Sequence, residues 1–355
     1  MADQWNKYGP TAARKHGKPG RDTRPKSTTI DIHSHVAIPA AAKFAQPHLD
    51  LSRVPLFHFA DAPTRALNQK QDADRTPHIT AYDERLADMD AMGLDMQLVM
   101  PPPGQCYYAV PLDVSVKAAR MVNEGIAEYV ARKPDRFIAL GTVPLTDGAE
   151  AAKELEHGMK TLGFKGAQVL TNVDGRELSD PAFAPFWKKA EELGAIVLIH
   201  PNGFTQGDRL TRHYFNNVVG NPFDTTLALH YLIFDGVLER HPNLKIIAVH
   251  GGGYLAGYSG RIDHAWGARS DAQADLPKPP TAYLKKVFFD TVVFTPHQLK
   301  NLVDVFGVDH ILMGTDYPFD MAEYDPIGHV QSVDSFDAKT VEALVGGNAK
   351  KLLGL

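Results

Sequence analysis

The chain has 355 residues, enough to bury the core of one large α/β barrel or of two ordinary domains. A formal net charge of −5 at pH 7 and a pI near 6.3 argue against nucleic acid as the main partner, and 44% hydrophobic with 22% charged residues is ordinary for a globular protein. The single cysteine, Cys106, excludes an intrachain disulfide framework and fits a reducing, cytoplasmic setting, and no apolar run nears the roughly 20 residues that span a bilayer.

Residues 1–27 differ from the rest of the chain. Lys7, Arg14, Lys15, Lys18, Arg21, Arg24 and Lys26 face only Asp3 and Asp22, and no apolar stretch comes after them, so this is read as a basic arm draped on the surface or mobile. From residue 28 to 355 a single domain is expected. Its strand candidates are 28–33, 96–101, 136–143, 166–171, 195–200, 245–250, 287–293 and 311–315. These runs are rich in Val, Ile and Leu without polar alternation, as strands buried on both faces should be. Helical patterns at 81–93, 115–132, 149–161 and 181–193 lie between them, with Gly93, Gly163 and Gly194 placed as C-terminal caps. Eight βα alternations predict an α/β fold, a closed (β/α)8 TIM barrel, rather than an open doubly wound sheet. Two connections are too long to be simple turns. Residues 36–80 form an inserted loop region after the first strand, and 201–222 come after the fifth; both are expected to shape a pocket.

Four of the strand candidates end in groups able to bind a metal: His33 and His35, His200, His250 and Asp316. In a barrel of parallel strands these ends meet at one face, where active sites sit. His33 and His35 are one residue apart on a strand, so their side chains point the same way. Imidazole and carboxylate ligands suit Zn²⁺, with Mn²⁺, Fe²⁺ or Co²⁺ also compatible.

Taken together, Asp31-Ile32-His33-Ser34-His35, His200-Pro201, His250-Gly251-Gly252-Gly253 and Gly314-Thr315-Asp316-Tyr317-Pro318 resemble the amidohydrolase superfamily, more narrowly the branch typified by aminocarboxymuconate semialdehyde decarboxylase. The resemblance runs from about residue 28 to the C-terminus and includes Asn348. It implies that His33, His35, His200 and Asp316 hold the metal and that His250 is an acid/base group, with Asp316 sharing in proton transfer. A histidine with a pKa of about 6.5 can move a proton at neutral pH. His250 as a fifth ligand or a packed residue remains open here. Binuclear members of the superfamily carry a carboxylated lysine at the end of strand four. Lys165 precedes that strand instead, so one metal is expected.

The same resemblance points to arginines that bind substrate carboxylates. Arg261 matches an arginine that reaches a neighbouring subunit's site, which implies a homodimer; a salt bridge to Asp263 or to another helix is the alternative. Arg75 sits close to a second such arginine. Pocket aromatics of that branch give way to residues around Asn202 and Asn217. The expected activity is non-oxidative decarboxylation of a small aromatic or unsaturated carboxylic acid. The alternative on the same scaffold is metal-dependent hydrolysis or hydration of a lactone, amide or enol acid.

Overall fold

The computed structural model describes residues 18–355, so the first part of the basic arm, residues 1–17, lies outside the described residues. Eight parallel strands are present. They are β1 (Ile30–His35), β2 (Met96–Met100), β3 (Phe137–Ala139 continuing as Gly141–Thr142), β4 (Gly166–Leu170), β5 (Ile196–His200), β6 (Lys245–Ala248), β7 (Phe288–Asp290) and β8 (Ile311–Leu312). Neighbours in sequence are neighbours in space from β1 to β8. The ring closes between its ends, where Ile32 N donates to Met313 O (2.9 Å), Asp316 N to His33 O (2.8 Å) and His35 N to Tyr317 O (2.8 Å). The (β/α)8 barrel read from the sequence is the fold.

Burial on both faces explains the unbroken apolar runs. Ile30, Ile32, Leu98, Met100, Leu140, Leu198, Ile247 and Leu312 fill the barrel interior. The opposite faces of the strands meet the helices through residues such as Val99, Val169, Val197, Ile246 and Phe289. The main helices are α1 (Ala62–Thr80), α2 (Tyr82–Met92), α3 (Leu112–Ala131), α4 (Gly148–Lys160), α5 (Ala184–Leu193), α6 (Asn221–Phe234), α7 (Leu255–Ala268) and α8 (Pro296–Phe306). Among them, α2 to α5 fall where helical periodicity put them. Gly93 and Gly194 end α2 and α5 in the left-handed conformation.

The region after β1 is not a loop. Residues 36–80 contain Pro39–Ala45 and the 19-residue α1, capped by Asp61, whose side chain accepts from Thr64 N. Helix α1 is polar around most of its circumference and buries only Arg75, so it carries no apolar stripe to announce it. The basic segment from residue 20 is docked on the barrel. Gly20 N donates to Asp325 Oδ1 (2.7 Å), Thr23 Oγ1 to Gln331 Oε1 (2.7 Å) and Arg24 Nη2 to Asp95 Oδ2 (2.5 Å). Among the described residues no helix is long and apolar enough to cross a membrane.

Candidate metal centre and active site

The first two histidines depend on an irregularity in β1. Between Asp31 and Ser34 the strand holds one more residue than β2 opposite, a bulge that reverses the side-chain alternation. Ile30 and Ile32 thus face the barrel interior, and beyond the bulge His33 and His35 face the same axis at its C-terminal mouth. His200 is the last residue of β5, and Asp316 lies four residues beyond β8.

These side chains converge. Asp316 Oδ1 is 3.1 Å from His35 Nε2, 3.3 Å from His33 Nε2 and 3.8 Å from His200 Nε2. The opposite ring nitrogens each face an acceptor. His33 Nδ1 donates to Asp290 Oδ2 (2.7 Å), His35 Nδ1 to Pro101 O (3.0 Å) and His200 Nδ1 to Pro201 O (2.6 Å). An acceptor at every Nδ1 holds the ring proton there and leaves a lone pair on Nε2. Three lone pairs and a carboxylate oxygen then point into one small volume. Nε2 of His33 and of His200 is buried with no hydrogen-bond partner among the described residues. A buried polar group in that state needs an explanation, and one cation supplies it.

The charge states of His35, His200 and Asp316 agree with a cation site, and that of His33 runs the other way. Burial pushes the His200 imidazole down to about 3, and it also lowers His35, despite the opposing Asp316 bond. For Asp316 burial favours the neutral acid, but the His33 charge and the neighbouring His200, His250 and His35 imidazoles outweigh it and hold the carboxyl well below its ordinary range. Burial likewise disfavours charge on His33, yet Asp316 and Asp290 more than offset it, and its pKa lies above the ordinary value.

His250 approaches from the other side. It comes after β6 on a turn with φ +54°, and its Nε2 lies 3.2 Å from Asp316 Oδ2. One ligand atom each from His33, His200, His250 and Asp316 lies within 4.8 Å of the others, and His35 joins them through its contact with Asp316 Oδ1. The three glycines after His250 make this possible. A Cβ on Gly253 (φ +66°) would come 2.0 Å from Pro222 O, and one on Gly251 (φ +61°) 2.4 Å from Val293 Cγ1. Only glycine lets the chain reverse here and turn the imidazole inward.

Some supporting residues were not read from the sequence. Asp290, the last residue of β7, is fully buried; besides His33 it accepts from Gly251 N (2.8 Å) and Val292 N (3.2 Å). Its signal was weak, since it lies inside the strand candidate 287–293 and only the observed strand stops at it. Arg85 on α2 is buried along its whole side chain. It donates to the His35 carbonyl and to Gln97 Oε1 (3.1 Å), and Gln97 Nε2 donates to Asp31 Oδ2 (2.9 Å). Asp31, pushed up to about 6 by burial, also accepts from His33 N (2.9 Å) and Thr315 Oγ1 (2.6 Å). This network braces the histidine pair from beneath.

The expected substrate residues are dispersed. Arg75 on α1 is buried, with its guanidinium 4.8 Å from the Phe319 ring centre; Phe319 in turn packs on His35 at 4.9 Å. Asn202 lines a cavity of about 500 Å³ together with Tyr107, Tyr108, Leu170 and residues 49–59 of the insert. Cys106 also lines it, but its sulfur is buried and accepts from Gln168 Nε2 (3.3 Å) and Thr142 Oγ1 (3.4 Å). Asn217 is half-buried on the turn before α6, beside Asn216, which clamps the Phe204 backbone. Arg261 is exposed on α7. Asp263 does not pair with it, because its carboxylate takes Thr281 N (3.0 Å) and Thr281 Oγ1 (2.5 Å). Lys165 lies before β4, and Leu170 and Thr171 occupy the end where a bridging lysine would stand.

The amidohydrolase family model matches residues 30–355. The chain is 33% identical over 333 residues to the 2-amino-3-carboxymuconate-6-semialdehyde decarboxylase of Dictyostelium discoideum, covering 93% of this chain and 92% of that protein. It is 30% identical to the gamma-resorcylate decarboxylase of Rhizobium radiobacter, over 73% of this chain and 81% of the relative. A solved structure of 5-carboxyvanillate decarboxylase from Novosphingobium aromaticivorans, complexed with manganese and 4-hydroxy-3-methoxy-5-nitrobenzoic acid, superposes with a TM-score of 0.82. It shares 24% identity, covering 93% of this chain and 97% of its own.

Proposed function

The chain belongs to the amidohydrolase family, and on that premise we propose that it is a metal-dependent, non-oxidative carboxy-lyase acting on a small aromatic or unsaturated carboxylic acid. The observation that carries this reading is the convergence of three buried Nε2 atoms on Asp316 Oδ1, with His250 held at the other oxygen of the same carboxylate. His33, His35, His200 and Asp316 would hold one divalent ion, which supplies positive charge to offset the negative charge that develops on the substrate as its carboxylate leaves. The donor set suits zinc. The manganese bound by the Novosphingobium relative makes Mn²⁺ the other choice.

The chain's own groups divide the remaining work. His250, steadied by Asp316 Oδ2, delivers a proton to the carbon that bears the carboxylate. The bond from that carbon to the carboxylate carbon breaks, its electron pair stays with the substrate skeleton, and CO₂ departs. Solvent then restores the proton to His250. Arg75, beside Phe319 and ion-paired with Asp72 at 2.9 Å, would also meet a substrate carboxylate through its guanidinium. Asn202 would contribute a hydrogen bond at the wall of the cavity it lines.

A homodimer is part of this reading. Phe215, Val218, Phe223, Tyr231, Tyr254 and Tyr258 are exposed on the α6–α7 side of the barrel, and Arg261 is exposed on α7 as a residue offered to a second copy would be. So are a division into a basic arm (1–27) and a barrel domain (28–355), and a cytoplasmic location in keeping with the lone buried cysteine. The test is to incubate metal-loaded protein with a panel of aromatic and muconate-type acids. The reading expects CO₂ released in step with acid consumed. Products that incorporate water with no CO₂ would instead support a hydrolase or hydratase.

A further inference from the structure

We infer that Asp290 is a positioning residue that holds a metal ligand and the proton-transfer histidine at once, an inference that rests on the metal-dependent reading above. Its two oxygens have separate tasks. Oδ2 accepts from His33 Nδ1 at 2.7 Å and so keeps the lone pair of that ring on Nε2, toward the ion site. Oδ1 accepts from Gly251 N at 2.8 Å and from Val292 N at 3.2 Å, pinning the turn that presents His250. The circle is completed by Asp316, which meets His33 Nε2 at 3.3 Å with one oxygen and His250 Nε2 at 3.2 Å with the other. Two buried carboxylates thus act on the same pair of histidines, Asp316 through both Nε2 atoms and Asp290 through the His33 ring and the Gly251 backbone.

Space is reserved for this contact. Gly314 lies against both partners, since a Cβ there would stand 3.0 Å from the Asp290 Cβ and 3.0 Å from the His33 Cβ. Asp290 is completely buried, so no water replaces a lost bond cheaply. An amide cannot do both jobs. If Asn kept its oxygen toward Gly251, its NH₂ would face His33 Nδ1 and drive the ring proton to Nε2, where it blocks the ion. If the oxygen turned to His33, the NH₂ would oppose Gly251 N–H and loosen the His250 turn.

The test is Asp290→Asn. Zinc and manganese affinities are measured by chelator competition without substrate, alongside kcat at saturating metal and the thermal midpoint. The expected result is metal binding weakened roughly 10–100-fold, with kcat still below wild type once metal saturates. Unchanged metal affinity per folded chain would overturn the inference, and full kcat at saturating metal would overturn its His250 half. Because the affinity needs no substrate, it reports on Asp290 even if the chain proves not to release CO₂ from any acid. If the variant does not fold, ¹⁵N imidazole spectra of zinc-loaded wild-type protein decide. A proton on His33 Nδ1 with none on Nε2 supports the inference, and the reverse tautomer contradicts it.

Discussion

His250 Nε2 and Asp316 Oδ2 lie 3.2 Å apart across the mouth of the barrel, while the other Asp316 oxygen faces three further imidazoles. One carboxylate therefore stands between a group that handles protons and a set that handles charge. This arrangement ties the two halves of the proposed chemistry to a single side chain, and it makes their separation measurable.

Replacing His250 with Asn should lower CO₂ release by ~10²–10⁴-fold, the usual contribution of a positioned acid/base group. Metal content, measured by atomic emission on the purified variant, should stay at the wild-type level. A parallel loss of metal would make His250 a ligand before anything else, as its place within 4.8 Å of His33, His200 and Asp316 would then require.

Arg75→Met keeps bulk against Phe319 and removes the charge that would meet a substrate carboxylate. A charge-assisted hydrogen bond of about 2 kcal/mol corresponds to a KM rise of roughly 30-fold, with kcat within a few-fold of wild type. Steady-state kinetics with the best acid from the panel tests this. A fall in kcat at constant KM would place Arg75 in the transition state rather than in binding.

The buried Asp224 on α6 gives a stability prediction independent of the metal. Burial pushes its carboxyl up from 3.8 to about 6, only partly relieved by bonds from Thr171 and Asn172. The folded chain therefore holds this proton over a range where the unfolded chain has lost it. Stability from this group is present below about pH 4 and declines as pH rises to about 6. Asp224→Asn can keep both bonds on its one oxygen. It should flatten the decline and leave the variant more stable at pH 7, by at most on the order of 3 kcal/mol. Urea unfolding at several pH values between 4 and 7 would show an undiminished slope if Asp224 were not responsible.

Gly253→Ala should destabilise the fold by roughly 2 kcal/mol or more. Its φ of +66° is strained for alanine, and the new Cβ would lie 2.0 Å from Pro222 O at the start of α6. The urea midpoint should drop. A midpoint equal to wild type would mean that the turn after His250 adapts without cost.

Much of this site was legible because a barrel turns a linear pattern into a spatial one. His33, His35, His200, His250 and Asp316 each close an apolar run, and parallel strands bring such ends together whatever their separation in the chain. The bulge that aims His33 and His35 left no trace, since nothing in Ile30–His35 distinguishes an extra residue from an ordinary strand. Helix α1 was missed for want of an apolar face. Asp290 and Arg85 do not stand out in the sequence because an acid inside a strand candidate or a cation on a helix announces no partner until its neighbours are known. Arg261 shows the opposite limit, because its proposed role depends on a second copy of the chain rather than on its own neighbours.

The most direct test is a metal titration. Protein stripped with chelator is given increasing zinc or manganese, and CO₂ release from the best aromatic or muconate-type acid is monitored. The four ligand groups and the absent bridging lysine predict activity that is negligible at first, rises linearly and breaks at about one ion per chain. A break at two ions, full activity in the stripped protein, or bound metal with no CO₂ from any acid would contradict the account.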